Sequence, residues 1–249
     1  MKRNLSIVLC FVAASSASAQ KTPATGSAAK PSISPAAVLD RYVEVTGGKA
    51  AYARLKTIVM KGTIAVTAQN LKGTVDVRAK APNKFYTVQE IKDVTKTTMA
   101  FDGKRGWSKN NLQGLRDITG SELQQLKDQA LFNSSVRWRE LYPKVEMIGI
   151  RKVDGKDTYA IRLTPKVGKP TVQYHDTKTF LIVRTDSVQE SPQGTLPVES
   201  YLSDYRAVDG VKTPFRVRSR VAAAEIITEI TEVRNNVPVP DSLFVKPKE

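Results

Sequence analysis

From Leu71 to Lys80 apolar or small residues alternate with polar ones without a break: Leu71, Gly73, Val75, Val77 and Ala79 against Lys72, Thr74, Asp76, Arg78 and Lys80. A period of two marks a strand with one buried and one wet face. Similar segments recur over 57–68, 84–91, 95–101, 105–109, 145–153, 157–164, 171–175, 180–188, 196–206, 211–221 and 224–233. Roughly a dozen strands at hairpin-like spacing predict one large antiparallel sheet or barrel, undivided by any domain boundary. Asp102-Gly103, Asp154-Gly155 and Asp209-Gly210 each fall between such segments. Asp-Gly suits a type I′ turn, which needs positive φ at both central residues. Their unequal spacing makes them one hairpin device used several times, not a solenoid repeat. The last pair closes "YLSDYRAVDGVKTPFRVRSRV", residues 201–221, whose second arm sets Arg216, Arg218 and Arg220 on one face and Phe215, Val217 and Val221 on the other.

The period changes to helical in two places. Ser34-Pro35 reads as an N-cap with proline at the first helical position, Leu39, Tyr42 and Val43 share the face that follows, and Gly47-Gly48 ends the helix. A short second helix is expected through "KAAYARL". Thr119 with Glu122 has the spacing of a capping box, and "GSELQQLKDQALFNSSVRWREL", residues 120–141, is helical in character until Pro143. Leu123, Leu126, Ala130, Val136, Trp138 and Leu141 are expected to face the sheet, with Asn133-Ser134-Ser135 breaking the helix in two.

Residues 1–19, "MKRNLSIVLCFVAASSASA", have two basic residues, a short apolar run and Ala17-Ser18-Ala19 ahead of Gln20, the layout of a cleaved secretory signal peptide and too short to span a bilayer. Residues 20–33 read as a disordered tether, leaving 34–249 as a single domain with a periplasmic or secreted location. The only cysteine, Cys10, lies inside the signal, so the mature chain has no thiol, disulfide or cysteine metal site. "IVLC" lacks the small residues expected before a lipidated cysteine. Without Lys2 and Arg3, 37 basic side chains stand against 24 acidic ones, an excess of 13. Export argues against a nucleic-acid partner for this basicity and leaves an anionic membrane surface, an acidic envelope partner, or simple solvation of outer strand faces.

The chemistry-bearing residues are sparse. His175 is the single histidine, and "TGSEL" lacks the frame of a nucleophile elbow. The pairs Glu90 with Asp93 and Asp154 with Asp157 fall at strand ends or turns, where carboxylates meet water. "HDTKT" around Asp176 fits a hairpin loop better than a calcium loop. The expectation is therefore no enzyme, no cofactor and no metal. The apolar residues say more: Phe85, Met99, Trp107, Phe132 and Trp138 fall where strands and the middle helix approach one another, as a filled core or as the wall of a cavity for an apolar ligand.

Three stretches, "VLDRYVEVTGGKAAYARLKTIVMKGTIAV", "TVQYHDTKTFLIVRTD" and "YLSDYRAVDGVKTPFRVR", resemble the outer-membrane lipoprotein-sorting protein family, the LolA-like group that includes LppX-like lipid carriers. The resemblance covers roughly residues 36–247, and its most specific parts are the Tyr174–Arg184 hairpin, with Asp176, Thr179 and Leu181, and the hairpin from Asp204-Tyr205 to Pro214. It implies a mainly β fold with some helix: a strongly curved antiparallel half-barrel covered by a few helices, holding the acyl chains of a lipid or lipoprotein. It assigns no charged residue at a cavity mouth. On this basis a cavity is expected to be lined by some of Ile58, Met60, Ile64, Val75, Val77, Phe85, Met99, Trp107, Leu126 and Phe132, and Arg216, Arg218 and Arg220 are expected to meet an anionic surface or cargo. The alternative is an envelope sensor or protein-binding module of the same fold without transport.

Overall fold

The computed structural model describes residues 32–191 and 194–248. The expected signal peptide and nearly all of the expected tether lie outside the described residues. Thirteen strands form one antiparallel sheet, curved and unclosed, in the order β6-β5-β4-β3-β2-β1-β13-β12-β11-β10-β9-β8-β7. In chain order they are β1 (Thr57–Val66), β2 (Leu71–Lys80), β3 (Lys84–Ile91), β4 (Thr95–Phe101), β5 (Gly106–Asn110), β6 (Gly114–Ile118), β7 (Lys144–Val153), β8 (Lys156–Thr164), β9 (Thr171–Asp176), β10 (Ile182–Ser191), β11 (Gly194–Val208), β12 (Val211–Val221) and β13 (Ala224–Asn235).

The chain enters the sheet at its middle strand and walks outward to the β6 edge. It then crosses to the opposite edge at β7 and walks back until β13 pairs with β1, Ile58 opposite Asn235 and Val66 opposite Ile226. The crossover is the helical stretch: α3 (Gly120–Ala130), a 3-10 turn over Ser134–Arg137 and α4 (Trp138–Leu141). It lies over one face of the sheet together with α1 (Pro35–Val45) and α2 (Gly48–Arg54), and we call this the inner face.

Local chemistry explains the elements. Ser34 Oγ accepts the Ala37 N–H at 3.1 Å with Pro35 in the first turn, so α1 starts where the sequence places it. The expected capping box at Thr119 does not form. The Thr119 side chain makes no capping bond, and Glu122 instead takes both Arg116 guanidinium nitrogens at 2.6 and 2.8 Å, a bidentate pair that outcompetes a backbone N–H. Asn133, at φ 54°, ends the run after α3 and splits the helical stretch in two. Asp154-Gly155 and Asp209-Gly210 have positive φ at both residues, as a type I′ turn requires. Asp102-Gly103 differs: Asp102 Oδ1 accepts the N–H groups of Lys104 and Arg105, both at 2.7 Å, making a side-chain-capped loop.

The helices seat on distinct patches of the inner face. Val38, Leu39 and Val43 of α1 and Trp138 of α4 pack on Ile161 and Leu163. Leu126 and Ala130 of α3 pack on Phe85, Phe101 and Ile118. The outer face has its own small core, where the segment after β13 brings Val239 and Phe244 onto Val59 and Tyr86. Phe244 is fully buried there.

Candidate functional site

Register fixes which side chains share the inner face. Pairing of Ile58 with Ala79, Met60 with Val77, Gly62 with Val75, Ala79 with Phe85 and Thr87 with Met99 puts Ile58, Met60, Ile64, Val75, Val77, Phe85 and Met99 on one side of β1–β4. Leu126 closes over this wall from α3, and Phe132 closes over its end beside Ala51, Tyr52 and Leu55. The closest approach is at Gly106 in β5, where a Cβ would stand 2.7 Å from Leu126 Cδ2; only a glycine lets α3 lie down on the strand.

Trp107 points the other way. Gly106 and Ser108 face inward, so alternation turns Trp107 to the outer face, where its indole N–H donates to the Phe244 carbonyl at 3.0 Å. Ile58, Val77, Phe85, Met99, Leu126 and Phe132 therefore gather beneath or within the helical cover, Met60 and Val75 share their face, Ile64 packs away from the helices with Val66, Ile91, Val221 and Ile226, and Trp107 anchors the C-terminal segment outside.

On the β10–β13 half the inner face changes character. Thr185, Ser187, Ser200, Ser219 and Thr228 occupy inward positions, all half-buried, and the Ser200 and Ser219 hydroxyls bond at 3.0 Å. The inner surface thus has an apolar half under α3 and a hydroxyl-bearing half beside it. One side chain spans the two. The Gln125 amide on α3 donates to the Val188 carbonyl at 2.8 Å and its oxygen accepts the Glu190 N–H at 3.0 Å. This stretch of β10 runs past the end of β9, so Gln125 completes a strand edge that would otherwise lack a partner.

Beneath α1 a polar cluster is buried. The Tyr42 hydroxyl lies among those of Ser135 and Tyr205, and Tyr52 donates to Thr46 at 2.9 Å. Burial pushes the phenols of Tyr42, Tyr52 and Tyr205 upward, so all three stay protonated donors. His175 is fully buried edge-on to Tyr42, and burial pushes its pKa down to about 4, so the ring is neutral. Its Nδ1 faces the Phe180 carbonyl and its Nε2 faces the Gln173 side chain, each at 3.2 Å. A neutral ring donates once. Nδ1–H donates to the carbonyl, and turning the Gln173 amide end for end, so that its nitrogen and not Oε1 faces Nε2, gives the ring a donor there. The geometry makes His175 a packing residue of the hairpin, and Asp176 caps that turn by accepting from Lys178 and Thr179.

A cavity of about 50 Å³ lies between α1 and the second half of the cover, lined by Leu39, Tyr42, Ser135, Trp138, Leu163 and Gln173 among others. A second, of about 140 Å³, opens on the outer face beside Tyr201, Arg216 and Arg218. Sites for drug-sized ligands run roughly 300–1,000 Å³. Among the described residues no group of three or more His, Cys, Asp or Glu is placed to hold a metal ion, and no helix is long and apolar enough to cross a membrane.

Arg216, Arg218 and Arg220 project together from the outer face of β12, each with a carboxylate partner. Arg216 pairs with Glu229, Arg218 with Glu225 and Asp154 at 3.3 and 3.4 Å, and Arg220 with Glu225 at 3.4 Å. Arg184 joins the cluster through Asp186, Glu199 and the Tyr201 hydroxyl. This outer patch is a charge lattice rather than a bare positive surface. The stacking of Tyr201 under Arg218 and the reach of the Asp154 turn to Arg218 were not legible in the sequence, nor was the Gln125 bridge on the inner face, since nothing local says which distant strand each will meet.

No protein-family model matches the chain, and no curated protein matches it. Solved structures do. A DUF1329 family protein from Desulfovibrio piger is 17% identical with TM-score 0.58, over 84% of this chain and 96% of that one. A LolA superfamily protein from Nitrosomonas europaea is 15% identical with TM-score 0.57, over 86% and 99%. A domain described as outer membrane lipoprotein-sorting, from Vibrio parahaemolyticus, is 12% identical with TM-score 0.50, over 83% and 97%. The chain has the LolA-like half-barrel fold.

Proposed function

We propose that this protein is a periplasmic or secreted carrier that takes the acyl chains of a lipid or lipoprotein between the β1–β5 wall and α3. The observation that supports this most directly is the gathered apolar wall, from Ile58 and Met60 through Phe85 and Met99, roofed by a helix rather than by a second sheet. The likeness to a LolA superfamily protein and to a lipoprotein-sorting domain supports it at the level of fold. An acyl chain leaving a bilayer costs about 0.8 kcal/mol per methylene, so moving a two-chain lipid through water meets tens of kcal/mol. An apolar groove removes most of that barrier while keeping net affinity modest enough for release.

Loading has a structural requirement. Leu126 packs directly on Phe85 and Phe101, so an acyl chain entering between them must lift α3 from the sheet. The same close packing of α3 on the sheet favours a second reading, an envelope module that binds another protein and keeps its core closed.

Native mass spectrometry of the purified protein separates the two. Co-purified lipid at one per chain is the carrier's expected outcome. Emission of a Met99→Trp variant should then shift on titration with phospholipid, because that side chain lies on the proposed wall under α3. A lipid-free mass with no shift at saturating phospholipid would sink the carrier and leave the binding module.

A further inference from the structure

The cavity of about 140 Å³ on the outer face is separate from the acyl groove, on the opposite side of the sheet. Its size is close to the ~150 Å³ of a cavity that holds one benzene-sized molecule. It forms because the β7–β8 turn arches over β10–β12: Val153, Asp154 and Lys156 come from the turn, Val183 from the β10 bulge, Tyr201 and Ser203 from β11, and Arg216 and Arg218 from β12. Its walls hold two guanidinium groups, one ammonium and one carboxylate. We infer that this pocket is a binding site for a compact oxyanion of the phosphate class, held by Arg218 and Lys156, with Arg216 on the wall committed to Glu229.

Three observations support the assignment. The Arg218 guanidinium is oriented by stacking on the Tyr201 ring, 4.1 Å from its centroid, so its fork is pre-set at little entropic cost. Its two carboxylate contacts are long, 3.3 Å to Glu225 and 3.4 Å to Asp154, against about 2.8 Å for a good charge-assisted bond. Lys156 makes no ion pair among the described residues and stands exposed on the lip. Asp154 is a weak internal stand-in: a turn carboxylate, 68% exposed, loosely occupying the place an external oxyanion takes more tightly. The wider patch is charge-balanced, with Asp186, Glu199, Glu225 and Glu229 nearby. Selection therefore comes from the local fork and not from a long-range field, and a compact group is favoured over a flat anionic surface. Arg220, grouped with the other two by sequence, is outside this pocket.

The test is titration of the full chain with inorganic phosphate at low ionic strength, followed by calorimetry and amide NMR, with a parallel arm of phosphatidylglycerol and phosphatidylcholine vesicles. Arg218→Gln should weaken phosphate binding about tenfold or more, the loss expected for a bond to a charged group. Asp154→Asn should strengthen it, and asparagine tolerates the left-handed turn geometry at φ 46°. Lys156→Gln, on an exposed turn, serves if Arg218→Gln disturbs folding, and should weaken binding several-fold. Phosphate binding with these responses supports a free oxyanion ligand. Selective phosphatidylglycerol binding with the same responses, but no binding of phosphate, supports a lipid headgroup. Absence of both, or affinities indifferent to Asp154→Asn and Lys156→Gln, would overturn the site.

Discussion

At the scale of single residues, His175 and Gly106 make the sharpest commitments. His175 is the sole imidazole, fully buried and neutral. With its folded pKa near 4 below an unfolded 6.5, the unfolded chain binds the extra proton between those values. The contribution of the neutral ring is whole above pH 6.5 and is lost as pH falls through 4, on the order of 3 kcal/mol in all. The single imidazole resonance should therefore hold constant from pH 8 to 5.5 by NMR, and a midpoint near 6.5 would contradict the burial. At Gly106 a methyl group meets the buried end of Leu126, which can yield only by lifting α3. Gly106→Ala should cost about 1–3 kcal/mol in denaturant unfolding, the usual range for overpacking. An unchanged midpoint would mean that α3 already rides loosely.

At the scale of elements, the helical crossover is held at its α3 end by two polar devices, the Arg116–Glu122 fork and the Gln125 bridge to β10. Gln125→Ala deletes two side-chain-to-backbone bonds of roughly 0.5–1.5 kcal/mol each. Amide exchange over residues 120–130 should accelerate while that of β1–β3 stays as it was. Uniform acceleration everywhere would show that α3 opens only with global unfolding. Strands with strict alternation were legible in the sequence, β2 most plainly, because burial on one face writes itself into the letters. Strand β6 was not: "GLRDI" has its inward arginine paired to Glu122 on the helix above, so the polar residue falls where an apolar one is expected. The capping box failed for the same reason, since Glu122 had a better partner than the local motif supplies. Of the candidate site, the inward set on β1–β4 followed from period two. Trp107 did not, because its burial comes from a segment 137 residues further along the chain.

At the scale of the whole molecule, two meanders meet along one line. Strands β1–β6 pair only with sequence neighbours, as do β7–β13, apart from the union of β1 with β13 across more than a hundred and fifty residues. Local pairings form quickly, while the distant one waits for its loop to close. The topology lets each half pair locally first and leaves the zipping of Ile58–Val66 against Ile226–Asn235 as the pairing expected last. Until then β1 offers a bare, β-rich edge, "TIVMKGTIAV", to any other chain. A chain ending after Val221 should collect as insoluble material, and adding the missing strand as a synthetic peptide spanning residues 224–248 during refolding should recover soluble monomer. Soluble, dispersed truncated protein would mean that the first half shields its own margin. A chain of this topology must therefore keep its earliest strand from strangers until its last one arrives, and the waiting time is set by the length of chain between them.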